Sequence, residues 1–330
     1  MENLDLLTIG DASLDAFIFP TESESLCQMD DKDCLICFSY GDKIPVKDLE
    51  FSIGGNAANN AVGTRRLGVK TAVNLTLGED DIGNQIVEKL IKDGVDTSYV
   101  YRQKDKRSNY SLAINYSGER TIFTYKDEIE YQTPTDIPKV PWVYLTSMGD
   151  NFSGTYGKVA DLVRKNPDVK LVFNPGSRQI RAGVDGIKNV LEVSYMVYIN
   201  REEAEKISGF EESRGKEKEL LEKVSALGPK VPIITDGPNG SFSLCEGKFY
   251  KAGVMPVDAY ERTGAGDAFG SGCLSALIKG KGIDEALLWG TVNSASVIGF
   301  IGAQKGLLKE NKIGTWLDRA TSCNVKVEEF

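Results

Sequence analysis

The sequence predicts an α/β fold, built on a mostly parallel sheet and carrying a second, small β-sheet. Three observations lead there. Short apolar runs alternate with helix-length amphipathic segments through most of the 330 residues. Residues 12–52 and 107–127 break that alternation, and polar or glycine-rich groups recur where the apolar runs end.

In chain order the alternation begins with "LLTIG", "NAANNAVGTRRLG", "KTAVNLTLG" and "IGNQIVEKLIKDG", the signature of βαβ units on a parallel sheet. It resumes after residue 141 with "WVYLTS", "TYGKVADLVRKN", "VKLVFNPG", "GIKNVLEV", "YMVYIN", "REEAEKISG", "KELLEKVSALG" and "VPIITDGPNG". The interruptions hold "AFIF", "CLICFSYG", "VKDLEFSIGG" and "RSNYSLAINYSGERTIFTYK", which lack helix periodicity and read as strands and turns. They are expected to pair into one small sheet that projects from the core and covers a cleft. The division is then 1–11, 53–106 and 128–330 for the core, and 12–52 and 107–127 for a β lid. Ligands of parallel α/β sheets bind outside the carboxyl ends of the strands. "GDASLD", "GEDDIG", "NPGSR", "NREE" and "TDGPNG" stand at those ends, so a shared active-site rim is expected there.

A net charge of -9 with no Lys/Arg run excludes the basic footprint of a nucleic-acid-binding protein. Any phosphate must be held locally. The acidic start has an apolar run too short for a signal peptide, and "LLWGTVNSASVIGFIG" is too polar and short for a membrane span, so a cytoplasmic protein without membrane contact is expected. Cys27, Cys34 and Cys37 cluster around a CxxC. With no histidine and no nearby fourth thiolate, reduced half-buried cysteines are expected there rather than zinc.

"ERTGAGDAFGSG" opens a helix, since Phe269, Cys273, Leu274 and Leu277 recur at helical spacing behind it. A helix start offers unpaired N–H groups, and glycines let a phosphate approach the backbone. Taken alone, the stretch also reads as a tight loop with Asp267 as a first-turn acid. A dinucleotide turn fits less well, because no clean buried strand precedes it and Asp284 begins a helix instead of ending a strand. No G-x-x-x-x-G-K-[ST] sequence occurs.

The ordered set "GD-x-S-x-D", "GGNAANNA", "GEDDIG", "NREE", "TDGPNG", "TGAGDAF" and "GFIGAQKG" resembles the ribokinase, or PfkB, family of carbohydrate kinases nearly end to end. The resemblance implies a three-layer α/β/α core with a mostly parallel sheet and a β lid. It also implies phosphorylation of a sugar or nucleoside hydroxyl by ATP with magnesium. By the same resemblance Asp267 is the base that takes the hydroxyl proton, and Gly264, Ala265 and Gly266 supply N–H groups to the phosphoryl group. Phosphoryl transfer needs both an oriented nucleophile and compensated phosphate charge. Asp15, with Ser13 beside it, corresponds to a ligand of substrate hydroxyls, and Gly54, Gly55 and Asn59 to the sugar-contacting motif. Asn56 falls where members vary, which suits a role in substrate choice.

Asn200 and Glu203 correspond to an element organising nucleotide phosphate and magnesium through water, although the same spacing fits a capping box. Thr235, Gly237, Gly240 and Asn293 correspond to nucleotide contacts, and Arg178 is within loop reach of phosphate. The sequence departs from the family where Asp-Thr-Thr is usual and Glu261-Arg262-Thr263 stands instead. Relatives activated by K+ hold it partly with that acid, so a monovalent cation at Glu261 and Thr263 is in question. Arg262 either faces solvent or supplies the charge in its place.

A sugar kinase of the ribokinase or fructokinase kind is the leading expectation, with a nucleoside kinase (adenosine, inosine or cytidine type) as the near alternative and a non-catalytic sugar-binding protein as the distant one. A nucleoside would need an aromatic slot, and the lid stretches hold Phe17, Phe19, Phe38, Tyr40, Tyr110, Tyr116, Phe123 and Tyr125. A homodimer through the lid is expected from its apolar strands.

Overall fold

The computed structural model describes residues 4–21, 26–29, 34–116, 119–134 and 140–330; the side chains of 26–29, 34, 35 and 119 lie outside that description. The chain begins with β1 (Leu6–Ile9), β2 (Ser13–Pro20), β3 (Leu26–Met29), β4 (Cys34–Cys37), β5 (Val46–Gly54), α1 (Asn56–Arg66), β6 (Thr71–Gly78), α2 (Asp81–Lys92) and β7 (Asp96–Gln103). Next come β8 (Asn109–Tyr116), β9 (Glu119–Tyr125), β10 (Trp142–Thr146), α3 (Ser153–Lys165), β11 (Lys170–Asn174), α4 (Ser177–Arg181), α5 (Gly183–Leu191) and β12 (Met196–Asn200). The remainder is α6 (Arg201–Ser208), α7 (Glu217–Ser225), β13 (Val231–Thr235), β14 (Ser241–Cys245), β15 (Lys248–Ala252), α8 (Ala265–Ile278), α9 (Ile283–Val297), α10 (Glu310–Ser322) and β16 (Val327–Glu329).

Ten strands form one sheet in the order β16-β15-β14-β13-β12-β11-β10-β1-β6-β7, parallel from β13 to β7 and antiparallel beyond β13. The parallel strands are apolar on both faces because both are covered; every residue of β1, β6 and β10 is buried. Leu7, Ile9, Val143, Leu145, Phe173 and Val197 pack with α3, α5, α6 and α7, whereas Leu6, Tyr144, Val172 and Tyr198 pack with α8 and α9. The result is a three-layer α/β/α core. From β1 the chain builds toward β7 on one side, then returns to build β10 to β13 on the other, so the strand order reverses between β1 and β10. A crevice opens at such a point.

The segments that break the alternation supply a separate sheet in the order β5-β2-β8-β9. The small-sheet expectation is corrected at the hairpin β3–β4, whose strands pair only with each other and form a separate two-stranded sheet. Of the cysteine cluster, Cys37 is exposed and reduced, while the side chains of Cys27 and Cys34 lie outside the described residues. Among the described residues no helix is long and apolar enough to cross a membrane.

Candidate active site

Two glycines shape the start of α8. Gly264, the residue before the helix, has φ 77°, and a Cβ there would lie 2.3 Å from Ala303 Cβ, so only glycine fits. Gly266 has nothing within 4 Å of a Cβ position; packing does not demand it, and its bareness exposes backbone. No side chain caps the helix, and the Ala265 N–H donates to Arg262 O at 3.3 Å. The N–H groups of Gly266 and Asp267 are therefore the ones left for an anion, rather than that of Ala265.

Gly266 and Thr235 lie between two cavities. One, of about 230 Å³, is lined by Asn56, Ser147, Asn174, Asn200, Glu203 and Asp267 among others. The second, of about 360 Å³, has a mainly apolar wall that includes Val254, Met255, Phe269, Ala295 and Ile298.

Asp267 is set by the crossing of α1 and α8. At Gly63 a Cβ would lie 2.3 Å from Ser271 Oγ, so the helices meet closely there. One turn earlier in each, Asn59 Nδ2 donates to Asp267 Oδ2 at 2.8 Å, and Gln304 Nε2 donates to Asn59 Oδ1 at 3.0 Å. A charge-assisted bond of this kind contributes about 1.5–3 kcal/mol. Asp267 keeps part of its surface toward the cavity, yet burial pushes its carboxyl up to about 6; the Asn59 bond opposes this and the nearby Asp15 charge adds to it.

Asp15 reaches the site from β2. Ser13 Oγ donates to Asp15 Oδ1 at 2.8 Å, and a Cβ on Gly54 would lie 1.9 Å from Asp15 Oδ2. Burial raises the Asp15 carboxyl, against hydrogen bonds from Ser13 and Ser111. Gly55, at φ 88°, turns the chain into α1 against the Asp11 and Ala12 backbone. Asn56 then donates through Nδ2 to Asn174 Oδ1 at 3.2 Å, which leaves its carbonyl oxygen for the cavity.

Of the two readings of Asn200 and Glu203, the geometry displays the capping box. Asn200 Oδ1 accepts from Glu203 N–H at 2.9 Å while Glu203 Oε2 accepts from Asn200 N–H at 3.0 Å, a complete capping box, and both residues line the polar cavity. Burial raises the Glu203 carboxyl. Its Oε1 remains for a cation, so this donor set fits magnesium held through water. Gly237 and Gly240 border the apolar cavity; a Cβ on Gly240 would lie 2.0 Å from Ala252 O.

Several expectations are corrected. Asn293 is fully buried, donates to Ala268 O at 2.7 Å and accepts from Leu308 N–H at 2.9 Å, so its amide is spent inside the fold and Thr291 and Ser294 take the cavity wall. Asn59, expected to touch sugar, is 3% exposed and serves Asp267 instead. Arg178 is half-buried and ion-paired with Asp150, and it is not among the residues that line the polar cavity, although Gly176 and Ser177 beside it are. "GEDDIG" lines neither cavity: Asp80 caps α2 through Gly83 N–H at 2.8 Å and accepts from Ser108 N–H at 2.8 Å, tying β6 to the approach to β8. Those bonds hold its carboxyl below the usual range against its partial burial. Arg262 is exposed and lines the apolar cavity, while Glu261 is buried and already partnered.

Residues that sequence reasoning missed include Gln304, which lay within the quoted "GFIGAQKG" without a role, and Arg120, which bonds Glu261 across 141 positions. Tyr198 is a third: its hydroxyl lies 2.8 Å from that of Tyr144, which donates to Asn174 Oδ1 at 3.2 Å, so two stacked rings support the cavity floor. Asp11 is a fourth, accepting from Lys126 Nζ and Tyr131 OH, each at 2.8 Å, beside the crevice.

With this geometry in place, comparison with known proteins adds four findings. Residues 24–310 match the family described as pfkB family carbohydrate kinase. The chain is 27% identical over 281 residues to an ATP-dependent 6-phosphofructokinase of Thermoanaerobacterium thermosaccharolyticum, covering 82% of this chain and 86% of that protein. It is 25% identical over 291 residues to the ribokinase of Haemophilus influenzae, covering 85% and 92%. Among solved structures, Arabidopsis thaliana ribokinase complexed with ribose and ATP superposes with a TM-score of 0.79 at 21% identity, over 96% of this chain and 99% of that one.

Proposed function

The chain belongs to the pfkB family of carbohydrate kinases, and from that premise we propose that it transfers the γ-phosphoryl group of ATP to a hydroxyl of a small sugar, with Asp267 as the base. The observation that carries this reading is the position of Asp267. A carboxylate with its proton affinity raised to about 6 stands at a bare helix start where a polar and an apolar cavity meet. The substrate hydroxyl gives its proton to Asp267 as its oxygen attacks phosphorus, and the turn Gly264–Gly266 with the α8 N-terminus compensates charge on the phosphoryl oxygens. Glu203, with Asn200 near it, would hold magnesium through water, and the ion would supply neutralisation of the nucleotide phosphate charge.

Asp15, Ser13, Gly54, Gly55 and Asn56 take the sugar hydroxyls. Thr235, Gly237 and Gly240 edge the nucleotide, whose base suits the apolar cavity. The segments 12–52 and 107–127, which supply most of the smaller sheet, act as a lid over 1–11, 53–106 and 128–330. A sugar is favoured over a nucleoside by the lid's register. Tyr110, Phe123 and Tyr125 fall on the face opposite Asp15, and Phe17 on the near face is buried beside Ile301, so among the described residues these aromatics build no base slot. The outer face instead exposes Leu49 (48%), Phe51 (59%), Phe123 (59%) and Tyr125 (45%), a patch that a second copy of this chain covers in a homodimer. The enzyme works in the cytoplasm.

A substrate panel tests the reading: ribose, fructose and other ketoses beside adenosine, inosine and cytidine, each with ATP and magnesium. Turnover of a sugar is expected, and turnover of nucleosides alone would overturn the sugar assignment.

A further inference from the structure

The acid ahead of the glycine turn is the one that the family resemblance assigns to a monovalent cation, and its surroundings do not fit one. Glu261 Oε1 accepts from Arg120 Nη1 and from Thr263 N–H, each at 2.8 Å, and also from the Thr263 hydroxyl; Oε2 accepts from Gly302 N–H at 3.3 Å. A cation needs oxygens with lone pairs turned inward. Here hydrogens from three residues point at the carboxylate, and its charge is balanced by a guanidinium.

We propose that Arg120 is a positioning residue that takes over the work of a monovalent cation, neutralising Glu261 and fixing the loop into Gly264–Gly266, so that turnover needs no potassium. The inference rests on the kinase reading above. Arg120 is the second residue of β9, opposite Asn115, and shares with Asp15 the sheet face turned to the core. Its side chain crosses from the smaller sheet to the core loop; the Glu261 side chain is 7% exposed and that of Arg120 32%. Without Arg120 the buried carboxylate would lose its ion-pair partner among the described residues, and Arg262, its neighbour in sequence, lines the apolar cavity instead. Gly302 N–H reaches the same carboxylate while Ala303 packs on Gly264 and Gln304 holds Asn59. One ion pair thus bears on both the phosphate turn and the support of Asp267, and it joins them to the sheet that carries Asp15.

The test compares wild type, R120A and R120K at constant ionic strength in potassium, sodium or tetramethylammonium chloride. Hydrogen exchange of the amides of residues 262–268 is followed in parallel. Wild type is expected to turn over equally in all three salts. R120A is expected to lose about ten- to a hundredfold in kcat/KM for ATP. R120K should retain most of the rate, and added guanidinium or potassium should restore part of the R120A loss where tetramethylammonium does not. Exchange should quicken in R120A and stay near wild type in R120K. A wild type that requires potassium overturns the proposal, as does an R120A with wild-type rate and exchange. If no acceptor is turned over at all, the kinase reading fails, and the exchange comparison alone decides for or against the Arg120 contact. Should R120A not fold, R120Q replaces it in both measurements.

Discussion

The ten-stranded and four-stranded sheets of this protein bury their strands in opposite ways. In the ten-stranded sheet, β1, β6 and β10 are buried along their whole length, because helices cover both faces. In the four-stranded sheet one face turns Ser13, Asp15, Ser111 and Arg120 toward the core, while the other leaves Phe51 and Phe123 each 59% exposed. The large sheet gives rigidity, so the groups that need fixed geometry stand at its rim or on the helices packed to it. The small one has a partly exposed outer face, and on the proposed reading its inner groups meet a ligand as it arrives.

The sharpest way to separate the two is to remove one carboxylate from each. Asp267→Asn, on the rigid side, should lower phosphoryl transfer by about 10²–10⁴-fold in single-turnover assays while ATP still binds. Near-normal turnover would end the base assignment. Because burial raises this carboxyl from 3.8 to about 6, kcat/KM should fall as pH drops below about 6. The same shift has a stability consequence. The folded state binds this proton more tightly than the unfolded chain, so Asp267 costs stability progressively as pH rises from about 4 to 6. Asp267→Asn should therefore melt higher at pH 7.5, by at most ~3 kcal/mol, and the difference should vanish below pH 4.

Asp15→Ala, on the small sheet, should act on acceptor binding instead, raising KM for the sugar by about ten- to a hundredfold with KM for ATP little changed. A loss confined to kcat would erase the distinction between the sheets. Phe51→Glu with Phe123→Glu tests the outer face: sedimentation at micromolar concentration should shift from dimer to monomer, and a monomeric wild type would break that part of the comparison. The smallest effect is expected at Arg262, exposed beside the apolar cavity, where alanine should change KM for ATP by less than about threefold.

The contrast also explains what could be read beforehand. "KTAVNLTLG" and "WVYLTS" announce buried strands because covering both faces leaves few polar positions, and "TGAGDAF" announces its turn because Gly264 permits no Cβ. Asn200 and Glu203 are legible for a local reason: a capping box is written within four residues. Asn59 and Asn293 were misplaced because sequence gives a residue's helix but not which neighbour takes its amide; Asp267 takes one, and Ala268 with Leu308 the other.

By itself, then, the sequence determined the layered α/β core, the existence of a second small sheet, and the motifs at the strand ends, because periodicity and glycine chemistry act over a few residues. Only the tertiary structure decided the partners. Gln304 came to Asn59 and Arg120 to Glu261 over separations of 245 and 141 positions. Such pairs form because burial leaves a carboxylate or amide no water to bond, so whichever donor the fold brings within reach becomes its partner.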